Sequence, residues 1–169
     1  MAIESPIGKK MYEKGLRHWL LSPKHSFLST FIMQEKRKEA TIWDIYIDIL
    51  PKNLSNFPIF FTDQEKDELE GSPFLDQINE KIQDIQQDYD LICREVPEFS
   101  QFPIKEYSEI RMMVSSRIFG IEVDGKKTDG FVAYADMLNH RRPRQTTWTY
   151  SDEKGGFIIE AMEDIPRGD

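Results

Sequence analysis

The chain has 169 residues, of which 39% are hydrophobic and 31% charged, and its formal net charge is −8. This length fits one domain, or one domain with part of another, and the composition is that of an ordinary soluble protein. The negative charge argues against broad nucleic-acid binding. No stretch is apolar enough to span a membrane. Cys93 is the single cysteine, which excludes an internal disulfide and a multi-cysteine zinc site. The first twenty residues contain no signal-peptide core, so a cytoplasmic or nuclear location is expected rather than a secreted one.

Helix signals dominate the first 120 residues. Ser5-Pro6 and Ser22-Pro23 each place a capping serine before a proline, which is typical of a helix start. The helix that begins at Pro23 is expected to run to about Lys38. A third helix is expected over residues 42–50, because Pro51 cannot continue it.

Three more helices are expected before the pattern changes. Thr62 and Glu65 predict a capping box ahead of a short acidic helix. The longest helix begins at Ser72-Pro73 and runs to about Val96, with an apolar stripe that we interpret as a packing seam. The last helix is expected over residues 107–119.

Short strands are expected from Gly120 onward. Asp124-Gly125 and Asp129-Gly130 both indicate turns, and residues 131–135 predict a short buried strand.

A hairpin is expected in the last part of the chain. Residues 146–150 and 157–162 are strand-like, and the turn residues at 152–156 lie between them. A further turn at 165–168 leaves strand edges without a partner, so we expect that the natural chain continues. The predicted fold class is α+β, with helices over residues 1–120 and short strands over residues 121–169.

A polar cluster follows the apolar run 131–135. Asp136, Asn139 and His140 are three and four residues apart, so on a helical turn all three would face one side. Such a cluster behind a buried strand is a typical ligand site. The alternative is that Asn139 and His140 only cap a turn.

Two other segments are candidates for function. Ser116, Arg117 and Phe119 end the last predicted helix, where Arg117 has the alternative role of a surface cation favoured by the helix dipole. Arg141-Arg-Pro-Arg144 is a local positive patch, which is either a solvated loop or a contact for an acidic partner. The chain has no phosphate-binding loop, nucleophile elbow or zinc-binding H-E-x-x-H motif, and no metal site is expected.

Four segments carry a family resemblance. Ala135-Asp-Met-Leu-Asn-His140 resembles the Asn-His motif of SET-domain protein methyltransferases, in the subgroup of the Rubisco large-subunit lysine methyltransferase and the actin-histidine methyltransferase. Ser115-Ser-Arg-Ile-Phe119 resembles the serine-arginine segment of that subgroup. The run from Pro23 to Phe60 resembles the helical insertion that splits its SET domain. Ile158 to Gly168 resembles the strand and glycine turn before the catalytic tyrosine motif.

The resemblance implies an enzyme that uses S-adenosylmethionine to methylate a protein substrate, on lysine foremost and on histidine as the alternative. It assigns cofactor contacts to Asn139 and His140. The substrate side of the channel is assigned to Asp136, Ser116, Arg117 and Phe119. A methyl cation would pass in line from the sulfonium to a deprotonated nitrogen in a pocket that excludes water, without a metal.

Two segments of the family pattern have no counterpart in the chain. The glycine-rich turn that grips the cofactor is missing before Ser5, and the catalytic tyrosine motif is missing after Gly168. The resemblance therefore implies an incomplete SET domain, with residues 1–120 as the helical insertion, residues 121–169 as part of the β core, and weak or no activity on its own. The alternatives are a non-catalytic SET-like module that binds another protein, and an unrelated helical adaptor with a chance Asn-His motif.

Overall fold

The computed structural model describes residues 2–167, which fall into two compact units. The first unit ends at Ser116 and the second begins at Arg117. Helices make up the first unit and antiparallel strands dominate the second, so the predicted α+β class is confirmed.

The first unit is built from α-helices. They are α1 (Pro6–Glu13), α2 (Pro23–Glu35), α3 (Asp44–Ile49), α4 (Asp63–Asp67), α5 (Pro73–Glu95) and α6 (Ile104–Arg117), the last of which ends on the first residue of the second unit.

Side-chain caps begin several of these helices, as the sequence predicted. The Ser5 hydroxyl accepts the Gly8 backbone N–H at the start of α1, and Thr62 and Glu65 form the capping box of α4. α2 begins at Pro23 as predicted, but Ser22 is not the capping residue that the sequence predicted, because its side chain makes no capping hydrogen bond. α2 ends at Glu35, short of the predicted end.

The apolar stripe of α5 is a packing seam, which confirms its interpretation. Ile78, Ile85 and Ile92 recur at intervals of seven residues, and each is at most 3% exposed. Tyr107 of α6 is also fully buried, and its hydroxyl donates to the Ser26 Oγ at 3.0 Å. Burial raises the pKa of Tyr107 well above its ordinary value of 10.0, so the hydroxyl stays neutral and keeps its proton.

A buried ion pair joins α5 to α6. Asp88 and Arg111 are each 1% exposed, and the Asp88 Oδ2 lies 3.6 Å from the Arg111 Nη2. The same carboxylate accepts the backbone N–H groups of Leu21 and Ser22 and the hydroxyl of Ser26. Asp88 therefore fixes the start of α2 against the two longest helices.

The second unit contains two antiparallel hairpins. Its strands are β1 (Ile118–Val123), β2 (Lys126–Phe131), β3 (Thr146–Ser151) and β4 (Gly156–Ala161), with β1 paired to β2 and β3 to β4. Asp124 and Gly125, both with positive φ, form the turn between β1 and β2, and the predicted hairpin between β3 and β4 is also present.

Three expectations about the second unit were wrong. α6 ends at Arg117, and Phe119 lies in β1. Asp129-Gly130 is not a turn, because both residues lie inside β2, where Gly130 pairs with Phe119. Only Phe131 of the predicted strand 131–135 is in a strand, since the chain leaves the ladder and Tyr134 takes a φ of 68°. Gly168, part of the predicted last turn, lies outside the described residues.

Candidate functional site

An ion pair between Arg117 and Asp136 forms the base of the candidate site in the second unit. The Arg117 Nη1 donates to the Asp136 Oδ2 at 2.8 Å and to the Asp136 carbonyl oxygen at 3.4 Å. The Asp136 side chain is 2% exposed and that of Arg117 is 19% exposed, so solvent screens this pair only weakly. The contact ties the segment after β2 to the start of β1.

A tight backbone reversal presents this carboxylate. Tyr134 has a positive φ of 68°, and residues Ala135–Met137 form one turn of 3-10 helix. A non-glycine residue held at positive φ is uncommon and is found at sites where the surroundings fix the backbone. Here the reversal turns Asp136 inward, toward Arg117.

Asn139 and His140 follow this turn but do not share its face. The chain becomes extended at Leu138, with a ψ of 131°, and both residues after it are exposed while the Asp136 carboxylate is buried. The expectation that all three side chains face one way on a helical turn is therefore wrong. The physical reason is that the helical turn ends at Met137.

Phe119 lies in an aromatic cluster within the second unit. Its ring centroid is 5.6 Å from that of Trp148 and 5.0 Å from that of Phe157, both in edge-on geometry. Edge-to-face packing of this kind stabilises by about 1 kcal/mol per pair beyond the area buried. Phe119, which lies in β1, therefore joins the first hairpin to the second. It is two positions after Arg117 in the chain.

Ser116 belongs to the first unit, unlike the other candidate residues. Its hydroxyl donates to the Met113 carbonyl oxygen at 2.9 Å, one turn back along α6. The neighbouring Ser115 Oγ lies 3.2 Å from the His25 Nδ1 of α2. The sequence did not predict this serine–histidine contact, because the two residues are 90 positions apart and no local pattern relates them.

Neither a metal-binding cluster nor a membrane-spanning helix is present among residues 2–167. No group of three or more histidine, cysteine, aspartate or glutamate side chains there could hold a metal ion. Within the same range, no helix has the length and apolar character needed to cross a membrane.

Comparison with known proteins gives one distant likeness. No family model matches the chain, and no solved structure matches it. The chain is 24% identical over 163 residues to the tobacco (Nicotiana tabacum) protein named ribulose-1,5 bisphosphate carboxylase/oxygenase large subunit N-methyltransferase, chloroplastic. The match covers 90% of this chain but 30% of the tobacco protein, so the chain spans less than a third of that relative. The chain is thus distantly related to a protein methyltransferase.

Proposed function

We propose that the chain takes part in S-adenosylmethionine-dependent methylation of a protein, as a member of the SET-domain methyltransferases. The observation that carries the proposal is the exposed Asn139-His140 pair, held directly after the turn that the buried Arg117–Asp136 ion pair fixes. The distant likeness to a protein N-methyltransferase supports the same reaction class.

The residues of this segment fit the cofactor chemically. The Asn139 amide offers two donors and an acceptor, and the His140 ring offers a donor and an acceptor. S-adenosylmethionine presents matching groups on its adenine and on its amino-acid end. When bound, the cofactor supplies a methyl group activated by the sulfonium charge. Asn139 and His140 would hold the cofactor, while Arg117 and Asp136 act as positioning residues through the backbone turn.

The methyl acceptor in this proposal is a lysine nitrogen, with histidine as the alternative. A lysine nitrogen must lose its proton before it can attack, and entry into an apolar channel favours the neutral amine. Asp136, Ser116, Arg117 and Phe119 stay predicted substrate-side residues. The aromatic contacts of Phe119 with Trp148 and Phe157 support this role, because they supply apolar surface in the same unit as the partly buried Arg117.

Nuclear magnetic resonance can test the cofactor contact even when binding is weak. We expect S-adenosylhomocysteine, titrated into the ¹⁵N-labelled chain, to shift the amide signals of Asn139 and His140 and those of their immediate neighbours. Adenosine alone should shift fewer of these signals, because it lacks the amino-acid end of the ligand.

The result that contradicts the proposal is an unchanged pair of signals at Asn139 and His140 at saturating ligand. Shifts confined to the helices of the first unit would contradict it equally. Either outcome would favour the non-catalytic interaction module over the methyltransferase.

A further inference from the structure

The loop that follows the Asn-His pair is exposed and basic, and contacts hold the chain on either side of it. We call Arg141–Arg144 the arginine loop, and all four of its residues are exposed. Five residues before Arg141, the ion pair with Arg117 fixes Asp136. After the loop, the Gln145 carbonyl oxygen accepts the Met162 backbone N–H at 2.8 Å. A loop held on both sides loses little freedom when it binds.

Few acidic residues lie near Arg142 and Arg144 in the sequence. Between Phe131 and Tyr150 the single carboxylate is that of Asp136, which is buried and already paired with Arg117. The structure gives Arg142 and Arg144 no ion pair within the described residues. The loop is therefore a positive patch on a chain whose formal net charge is −8.

Apolar side chains are exposed on both sides of the arginine loop. Met137 is 41% exposed and Leu138 54% exposed before it, and Trp148 is 44% exposed after it. Trp148 is also held in place by its contact with Phe119. Methionine, tryptophan and arginine are the residue types enriched in protein–protein interfaces.

We infer that the arginine loop and these apolar neighbours form a docking surface for an acidic protein segment that carries apolar anchor residues. Carboxylates of the segment pair with Arg142 and Arg144, for which arginine's planar guanidinium is well suited. Apolar side chains of the segment cover Leu138 and Trp148. The inference concerns binding alone and does not depend on methyl transfer.

An acidic peptide fits this surface better than a nucleic acid does. Nucleic-acid binding relies on many phosphate contacts along an extended basic surface. Here the positive patch is short, and the chain as a whole carries a formal net charge of −8, which disfavours a long polyanion. A short acidic segment contacts the loop without that repulsion.

Fluorescence anisotropy tests the inference on the full chain. The probe is a short fluorescein-labelled peptide of alternating glutamate and leucine, and its comparison peptide has serine in place of leucine. We expect the double variant Arg142→Glu, Arg144→Glu to weaken binding of the first peptide by about tenfold or more.

The matched control reverses two exposed lysines of β2, Lys126→Glu and Lys127→Glu. It makes the same change in net charge within the same unit, and we expect it to weaken binding by less than about twofold. Circular dichroism of both variants checks that they remain folded.

Three results would overturn the inference. The lysine control could weaken binding as much as the arginine variant does, which would mean that only overall charge matters. The serine peptide could bind as tightly as the leucine peptide, which would remove the apolar half of the surface. A single-stranded RNA of equal charge could bind more tightly than the peptide, which would assign the patch to nucleic acid.

Discussion

Asp136 is the residue on which the geometry of the candidate site depends. Its side chain is 2% exposed, and its carboxylate accepts the Arg117 Nη1 at 2.8 Å. A hydrogen bond to a charged group stabilises by about 1.5–3 kcal/mol, more than a typical neutral bond. The turn that this bond holds also sets the position of Asn139 and His140, which are exposed and follow it in the chain.

We predict that Asp136→Asn destabilises the second unit by about 2 kcal/mol, because it removes the charge while keeping the shape of the side chain. Amide hydrogen exchange of residues 137–141 should accelerate in this variant. The control is Asp152→Asn, an exposed aspartate whose side chain accepts the Asp124 backbone N–H and which should change exchange little. Equal effects of the two substitutions would show that the ion pair does not hold the turn.

The pairing of these residues was not predictable from the sequence, although both were named as candidates. Arg117 and Asp136 are 19 positions apart, and their contact depends on the β1–β2 hairpin between them. The burial of Asp136 and the exposure of Asn139 also depend on where one short helical turn ends. Spacing alone treats the three polar residues of this segment as equivalent.

At the scale of elements, the helices α5 and α6 are held together by a buried ion pair inside an apolar seam. Asp88 accepts hydrogen bonds from three groups at the start of α2 besides facing Arg111. Arg111, by contrast, relies on Asp88, which is the carboxylate that faces its buried guanidinium. The two partners should therefore differ in how much their removal costs.

We predict that Asp88→Ala lowers the free energy of unfolding of the first unit by about 3–5 kcal/mol, because it leaves a buried cation without a counter-charge. Arg111→Met should cost less, since Asp88 keeps its other donors. Urea unfolding followed by the helical circular dichroism signal measures both. An Arg111→Met variant that is as unstable as Asp88→Ala would contradict this assignment of roles.

The start of a helix was predictable from the sequence where a side chain at that end caps the helix. The caps at Ser5 and at Thr62 with Glu65 are local chemistry, and both are present. The prediction of a turn at Asp129-Gly130 was wrong, because glycine also occurs inside strands where a neighbouring side chain packs closely against the backbone. A Cβ atom at Gly130 would lie 2.7 Å from the Ile121 side chain, so close packing explains that glycine.

At the scale of the whole molecule, the two units differ in how they are stabilised. Every fully buried hydrophobic residue among residues 2–167 belongs to the first unit, from Ile7 to Val114. The second unit relies on two hairpins, the half-buried aromatic cluster of Phe119, Trp148 and Phe157, and one ion pair. Small buried area gives little resistance to local opening.

We predict that the amides of β1 to β4 exchange with deuterium faster than those of α5. Mass spectrometry of the intact chain, digested after labelling, measures both sets in one sample. The strands should exchange faster because the first unit has a buried hydrophobic core, whereas the described residues of the second unit include no fully buried hydrophobic side chain. Equal protection of the strands and of α5 would mean that the second unit is stabilised by more than these contacts.

Calorimetric titration with S-adenosylhomocysteine tests the methyltransferase proposal most directly. It compares the chain with the variant Asn139→Ala and with Asn79→Ala, which removes the same group from an exposed position on α5. We predict that the chain and the Asn79 variant bind with the same affinity, and that the Asn139 variant loses most of the binding heat. Binding that Asn139→Ala leaves unchanged, or no binding by any of the three, would contradict the assignment of the cofactor site.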